Sequence, residues 1–172
     1  SIRICPEVGA GESEKVTTGQ AESKFGISLS ELEEVKKITS KYQLKLIGIH
    51  SHIGSGFYEA EVFRKSVEAV CKIAMNFESI QFLDFGGGFG TQYHPDKPEI
   101  DLEEFAKTIE EPIEKFNQKT GKNIEIRIEP GKFLVARSTV LLSKITTIKE
   151  KRDVTFVGLD SGFHNLIRPA IY

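Results

Sequence analysis

The sequence predicts an α/β fold, consisting of about half of a (β/α)8 barrel with parallel strands, followed by the first strands of a β domain. Apolar segments typical of strands alternate three times with segments of helical periodicity, and the linkers are short. Glycines and polar residues follow these strands at their carboxyl ends, where the active sites of barrels lie. An open doubly wound sheet fits the alternation too, but the polar strand ends favour the barrel.

The first strand and the first helix lie on either side of a loop. A strand is predicted at residues 2–5 and a loop at residues 6–26. Ser28 or Ser30 can cap the helix, which runs to about Lys41. One face of this helix is apolar and carries Leu32, Val35 and Ile38.

The next two strands each lead towards a longer helix. Strands are predicted at residues 44–52 and 80–84, with a helix at residues 59–76 between them. Glycines end the second of these strands.

The third helix has clear signals at both ends. Asp101 should cap it and Gly121 should end it. Pro112 lies inside and should kink or divide the helix, because proline has no N–H to donate. A fourth strand is predicted at residues 124–129.

The pattern changes near residue 137. Only a turn separates two further strands, predicted at residues 139–149 and 154–160. Adjacent strands without an intervening helix indicate the beginning of a second, all-β domain, which we interpret as a β-sandwich. We therefore divide the chain into residues 1–137, the C-terminal half of a barrel, and residues 138–172.

Composition and charge argue against two kinds of partner. The 172 residues carry a net charge of -2, so a basic face for nucleic acid is not expected. No apolar run approaches the roughly 20 residues of a membrane span. Cys5 and Cys71 are isolated and lack metal-ligand spacing, which indicates a reduced, cytoplasmic protein without a disulfide. The chain opens on a strand and closes on apolar residues, so we expect it to be part of a longer protein.

Two histidines lie where the second strand ends. His50 and His52 share one face of the strand. Such a pair could bind a metal, as in a metal hydrolase, but no third ligand lies near it in sequence. An imidazole can also stack on an aromatic ring, or hydrogen-bond within a polar turn. Ser55, between two glycines, offers a hydroxyl and accessible amides that suit a phosphate.

Three consecutive glycines follow the third strand. Gly86, Gly87 and Gly88 allow close approach of a ligand and convergence of successive N–H groups. The segment lacks the Lys-Ser/Thr of a P-loop and the spacing of a dinucleotide fingerprint. A tight bend and a phosphate-binding turn are both compatible with it.

An acid, a turn and a cation follow the fourth strand. Isoleucines alternate up to Glu129, and Pro130 and Gly131 then turn the chain before Lys132. An ionised carboxylate on a rigid strand end can hold a proton on a nitrogen heterocycle, and a protonated pyridine is an electron sink. A solvated or capping glutamate is the structural alternative.

A cation and a phenol lie close to the end of the chain. Arg168 is suited to bidentate binding of a carboxylate, and Tyr172 adds a hydroxyl. A surface arginine before a proline turn is the structural alternative.

Taken in order, four segments resemble the fold-type III pyridoxal-phosphate decarboxylases. They are His-Ser-His-Ile-Gly-Ser-Gly at 50–56, Asp-Phe-Gly-Gly-Gly-Phe-Gly at 84–90, Glu-Pro-Gly-Lys at 129–132 and Arg-Pro-Ala-Ile-Tyr at 168–172. Residues 3–8 and 18–27 are similar too, so the resemblance covers nearly the whole chain. It implies pyridoxal 5'-phosphate as the cofactor and no metal.

The resemblance implies a role for each cofactor-binding motif. His52 would stack on the pyridine ring, while Ser55 and the three glycines at 86–88 would hold the phosphate. Glu129 would pair with the protonated ring nitrogen. Pro130, Gly131 and Lys132 would complete this cofactor-binding segment, with Lys132 beside the phosphate. The family usually has arginine in place of Lys132, and lysine lacks the planar two-point grip of arginine.

The implied reaction removes CO₂ from meso-2,6-diaminopimelate and gives L-lysine, a step of lysine biosynthesis. Lys132, Arg168 and Tyr172 would contact a substrate carboxylate. Because Arg168 would repel a distal ammonium group, diaminopimelate is favoured over ornithine, arginine or carboxynorspermidine as the substrate.

The resemblance also implies that this chain lacks part of the active site. The lysine that bonds to the cofactor lies upstream in the family, so we expect no catalytic residue here and no activity from this chain alone. It implies a homodimer for the full-length protein. A non-catalytic regulatory relative is the alternative of another class, and it would have lost the cofactor-site residues that are present here.

Overall fold

A computed structural model describes residues 1–9, 17–20, 23–96 and 98–171. It divides into two compact units, Ser1–Ala136 and Arg137–Tyr172. That these units are half of a cofactor-binding barrel and the beginning of a β-sandwich stays a prediction. No helix in the described part of the chain is both long enough and apolar enough to cross a membrane.

The first unit is built on a parallel sheet. Its strands are β1 (Ile2–Arg3), β2 (Gly48–His50), β3 (Phe82–Asp84) and β4 (Glu125–Arg127). They are neighbours in the order β1-β2-β3-β4, and every pair is parallel. A doubly wound sheet would reverse its strand order at a switch point, so this sequential order is that of a barrel. The predicted α/β fold with a parallel sheet is confirmed.

Helices connect these strands. They are α1 (Leu32–Lys41), α2 (Ala60–Ala74) and α3 (Leu102–Thr120). The short α4 (Lys132–Val135), which was not predicted, follows β4. Of the two serines proposed as caps, Ser28 caps the turn that leads into α1. Its hydroxyl accepts the Ser30 N–H, and Glu31 accepts the Ser28 N–H in return.

The α3 helix begins and ends where its sequence predicts. Asp101 accepts the N–H groups of Glu103 and Glu104 at 2.9 and 3.0 Å, and Gly121 ends the helix in the left-handed region, with φ of 68°. Of the two effects predicted for Pro112, a kink or a division of the helix, division does not occur, because α3 is continuous through it. Pro112 is buried, and the packing of α3 against α2 offsets the hydrogen bond that proline cannot make.

The core lies between the sheet and the helices. Ile49 of β2 and Leu83 of β3 are fully buried on one face of the sheet. Five phenylalanine rings form a cluster in this core, with 5.4 to 6.2 Å between the centres of neighbouring rings: Phe57, Phe63, Phe85, Phe89 and Phe105. Three of them belong to the segments that follow β2 and β3, so core packing holds the carboxyl ends of these strands in place.

The second unit contains an antiparallel hairpin of β5 (Ile145–Lys151) and β6 (Val154–Leu159), and the short helix α5 (Arg168–Ile171). The predicted strand at residues 139–149 therefore begins too early. Pairing begins where Ile145 meets Leu159, and a segment without a partner strand gains no ladder hydrogen bonds. The strands of the first unit are also shorter than predicted, for the same reason.

Candidate functional site

The carboxyl ends of four neighbouring strands bring polar side chains together. The strand register aligns Arg3, His50, Asp84 and Arg127 across β1 to β4, and we call this set the polar row. Paired residues of a parallel sheet point to the same face, so the polar row lies on the face opposite to the buried Ile49 and Leu83. This face would be the inside of a barrel.

His52 lies two residues beyond the polar row and is held on two sides. Its Nδ1 accepts the Gly87 N–H at 3.2 Å, and its carbonyl accepts the Thr18 hydroxyl at 3.0 Å. Burial lowers the pKa of His52, the charges of Arg3 and His50 lower it further, and Glu129 opposes them. His52 is therefore a neutral imidazole near pH 7, with its proton on Nε2, and its flat ring is available for stacking.

Gly86 and Gly87 contribute to the site through the absence of side chains. A Cβ atom on Gly86 would lie 2.7 Å from His52 Nδ1, and one on Gly87 would lie 2.1 Å from the Glu129 carbonyl oxygen. The Gly86 carbonyl also accepts the Glu129 N–H at 2.8 Å. Gly86 and Gly87 therefore let the glycine turn lie directly against His52 and the Glu129 backbone, an approach that any side chain would prevent.

Gly88 joins the glycine turn to the turn that contains Ser55. Its carbonyl accepts the N–H groups of Gly56 and Phe57 at 2.8 and 3.2 Å. A Cβ on Gly88 would lie 1.9 Å from the Gly54 carbonyl oxygen. The two turns that the sequence suggested for phosphate binding are therefore adjacent. Within the described residues, the Gly88 N–H donates no hydrogen bond, whereas those of Gly86 and Gly87 are used.

Glu129 and the three residues after it follow β4. The Glu129 side chain is 58% exposed, and its Oε2 lies 3.3 Å from His50 Nε2. Pro130 and Gly131 turn the chain into α4, which begins at Lys132. The Lys132 ammonium lies 5.4 Å from the centre of the Tyr93 ring, in the segment that follows the glycine turn.

Of the three residues expected to bind substrate, Lys132 begins α4, and the other two lie further along the chain. Arg168 belongs to the second unit and begins α5. Tyr172 lies outside the described residues. Their roles stay predictions.

The alternative metal site on His50 and His52 does not form as the sequence suggested. The atoms that converge within 4.8 Å are from His50, Asp84 and Glu129. His52 Nδ1 is instead occupied by the Gly87 N–H.

Two residues of this arrangement were missed by sequence reasoning. Asp84 accepts the Gly86 N–H at 3.0 Å, an Asx-type turn that an aspartate before glycines could have signalled. Thr18 is the other. Its contact with His52 spans 34 residues, and no local pattern signals it.

The family model "Pyridoxal-dependent decarboxylase, pyridoxal binding domain" matches residues 1–136. The chain therefore belongs to this family. The glycine turns, the neutral His52 and the carboxylate of Glu129 fit a planar, phosphorylated pyridine cofactor. The predicted family, the pyridoxal-phosphate decarboxylases, is confirmed.

Two curated proteins and one solved structure that are similar to this chain are diaminopimelate decarboxylases. Diaminopimelate decarboxylase of Methanothermobacter thermautotrophicus is 37% identical over 178 residues, which cover 100% of this chain and 41% of that protein. The enzyme of the same name from Buchnera aphidicola subsp. Schizaphis graminum is 39% identical over 172 residues, covering 99% and 41%. The crystal structure of diaminopimelate decarboxylase from Helicobacter pylori complexed with L-lysine matches with a TM-score of 0.87 at 30% identity, covering 99% of this chain and 42% of that one. The chain thus spans about 41% of the length of these curated relatives.

Proposed function

We propose that this chain is part of a decarboxylase that uses pyridoxal phosphate to convert meso-diaminopimelate into L-lysine and CO₂. The observation that carries the proposal is the convergence of His52, the glycine turn at 86–88 and Glu129 at neighbouring strand ends. The names of the relatives at 37% and 39% identity support this substrate.

Each residue of the site has a task in this proposal. The neutral His52 ring packs on the face of the cofactor pyridine. Ser55 and the Gly88 N–H bind the phosphate, and Lys132 supplies positive charge beside it. Glu129 accepts a hydrogen bond from the protonated ring nitrogen. When bound, the cofactor supplies an electron sink for the cleavage of the bond to CO₂.

Substrate binding relies on charge. A guanidinium at Arg168 and the hydroxyl of Tyr172 bind the distal carboxylate of diaminopimelate, which ornithine and arginine do not have. Lys132, in place of the usual arginine, attracts a carboxylate or a phosphate as a point charge without fixing its orientation.

The same proposal includes the oligomeric state of the protein and its cellular compartment. The full-length protein is a homodimer, with sites at the subunit interface. Cys5 and Cys71 are both buried free thiols, as suits the cytoplasm. Burial raises the pKa of the Cys71 thiol to about 12, so it is not a nucleophile.

The experiment is a comparison of substrates with the full-length polypeptide that contains this segment. CO₂ release in the presence of pyridoxal phosphate is measured from meso-diaminopimelate, L-ornithine and L-arginine. We expect diaminopimelate to have the highest kcat/KM. Faster turnover of ornithine or arginine contradicts the substrate. Cofactor binding without CO₂ release from any amino acid would indicate the regulatory alternative.

A further inference from the structure

We propose that His50 is a positioning residue that holds the Glu129 carboxylate in the orientation needed by the cofactor ring nitrogen. This inference rests on the proposed function. It assigns a task to a histidine that the sequence motif alone leaves without one.

The contact joins a mostly buried side chain to an exposed one. His50 Nε2 lies 3.3 Å from Glu129 Oε2, and the His50 side chain is 20% exposed whereas that of Glu129 is 58% exposed. His50 Nε2 is shielded from solvent and makes no aligned hydrogen bond with any described residue. A small rotation of the exposed Glu129 carboxylate would align this hydrogen bond and satisfy a buried donor, which is costly to leave without a partner.

The contact between His50 and Glu129 spans the width of β3. β2 and β4 are not neighbours, because β3 lies between them. Adjacent strands are roughly 4.8 Å apart, so His50 and Glu129 must bridge about twice that distance. The Gly86 carbonyl, just beyond β3, accepts the Glu129 N–H at 2.8 Å and so fixes the Glu129 backbone beside this strand.

Asp84 affects the orientation of the Glu129 carboxylate through charge repulsion. One carboxylate oxygen of Asp84 lies within 4.8 Å of both the His50 and the Glu129 ligand atoms. Asp84 itself is fixed, since it accepts the Gly86 N–H at 3.0 Å. Two carboxylates this close repel each other. Without a donor from His50, Glu129 would turn away into solvent, and with it the carboxylate remains near the carboxyl end of β3, beside Asp84.

The consequence is preorganisation of the cofactor site. A long, exposed glutamate side chain loses rotamer freedom when it binds a ligand. Because His50 restricts that freedom beforehand, less binding free energy is spent on ordering Glu129.

The test uses two substitutions of His50 in the full-length protein. In H50Q the side-chain amide nitrogen reaches about the position of Nε2, whereas in H50N the amide is too short. The dissociation constant of pyridoxal phosphate is measured by equilibrium dialysis. We expect H50N to bind roughly tenfold more weakly than wild type, the effect of one hydrogen bond to a charged group, and H50Q to stay within about threefold.

Two further measurements distinguish a positioning role of His50 from an unspecific effect of its substitution on the structure. The effect of H50N should disappear in an E129Q background, because the partner charge is already lost. The ¹⁵N chemical shift of the ring nitrogen in bound, labelled pyridoxal phosphate should move towards the unprotonated value in H50N and not in H50Q.

The outcomes are distinguishable. Equal loss of affinity in H50Q and H50N, or an H50N effect that persists unchanged in E129Q, overturns the role of His50. If H50N does not fold, the contact is tested through the ¹⁵N chemical shift of His50 Nε2 in E129Q. The contact requires this chemical shift to differ from that of the wild type, and an unchanged chemical shift overturns it. A wild-type protein that binds no pyridoxal phosphate overturns the proposed function instead.

Discussion

Gly87 is a residue of the site that leaves no room for a side chain. Its N–H donates to His52, and a Cβ would lie 2.1 Å from the Glu129 carbonyl oxygen. We expect Gly87→Ala to push the end of β4 away from the glycine turn and to lower the free energy of unfolding by about 1–3 kcal/mol, the usual cost of overpacking. Urea denaturation of the full-length protein measures this change.

Gly131 provides the matched control. A Cβ there would meet no atom within 4 Å, and its φ of -86° is accessible to alanine. Gly131→Ala should change stability by less than about 0.5 kcal/mol. Similar urea midpoints for the two variants would show that the close approach of Gly87 to Glu129 does not constrain the fold.

At the residue scale, the sequence predicts the identity of the site residues more accurately than the contacts between them. His52 and Glu129 lie in contiguous motifs, each at the end of a strand that can be recognised from alternation. The approach of His50 to Glu129 was not predictable, because it crosses β3 and depends on strand register. The engagement of His52 Nδ1 by Gly87, 35 residues away, depends on the same register.

At the element scale, the boundaries of α3 show what local chemistry determines. Asp101 and Gly121 act within one turn of the chain, and both were predicted. Pro112 does not divide the helix, because tertiary packing buries this part of α3 against α2. Strand lengths were overestimated for a related reason, since pairing partners are distant in sequence.

The cap at Asp101 leads to a second prediction. One Asp101 oxygen accepts both the Glu103 and the Glu104 N–H, two of the donors at a helix N-terminus that have no partner within the helix. Asp101→Ala should lower the free energy of unfolding by about 1 kcal/mol. Denaturant unfolding followed by circular dichroism gives the value.

Asp101→Asn is the control for the cap. It keeps the acceptor oxygen and loses only the charge, so most of the stability should remain. A loss as large as that of the alanine variant would attribute the effect to charge near the helix end and contradict the capping role.

At the scale of the whole molecule, the described sheet of the first unit is not closed, because β4 ends it on one side and only an isolated bridge to Ile27 follows β1 on the other. β1 and β4 each have a single neighbour in the described sheet. Apolar side chains on β4 and just beyond it are also uncovered, with Ile126 40% and Ile128 51% exposed. A closed barrel has eight strands and no edges. We propose that the other strands come from a further segment of a longer polypeptide, since the relatives are more than twice as long as this chain.

That arrangement predicts how the 172-residue chain behaves alone. The resemblance to pyridoxal-phosphate decarboxylases implies that the lysine bonded to the cofactor comes from the first barrel strand, upstream of β1. The chain supplies His52, the glycine turns and Glu129, which contact the cofactor without bonding to it covalently. We expect the isolated chain, incubated with pyridoxal phosphate and reduced with borohydride, to gain no stoichiometric cofactor mass at a single lysine. It should release no CO₂ from diaminopimelate.

The full-length polypeptide is the positive control for that experiment. Under the same treatment it should gain one cofactor per chain at one lysine, and peptide mapping by mass spectrometry should place that lysine outside this segment. Scattered, substoichiometric labelling of surface lysines is expected in both proteins, because any exposed amine reacts slowly with an aldehyde. Stoichiometric labelling of one lysine within the 172 residues would contradict the division of the site, since this segment would then hold both the residues that orient the cofactor and the residue that bonds to it.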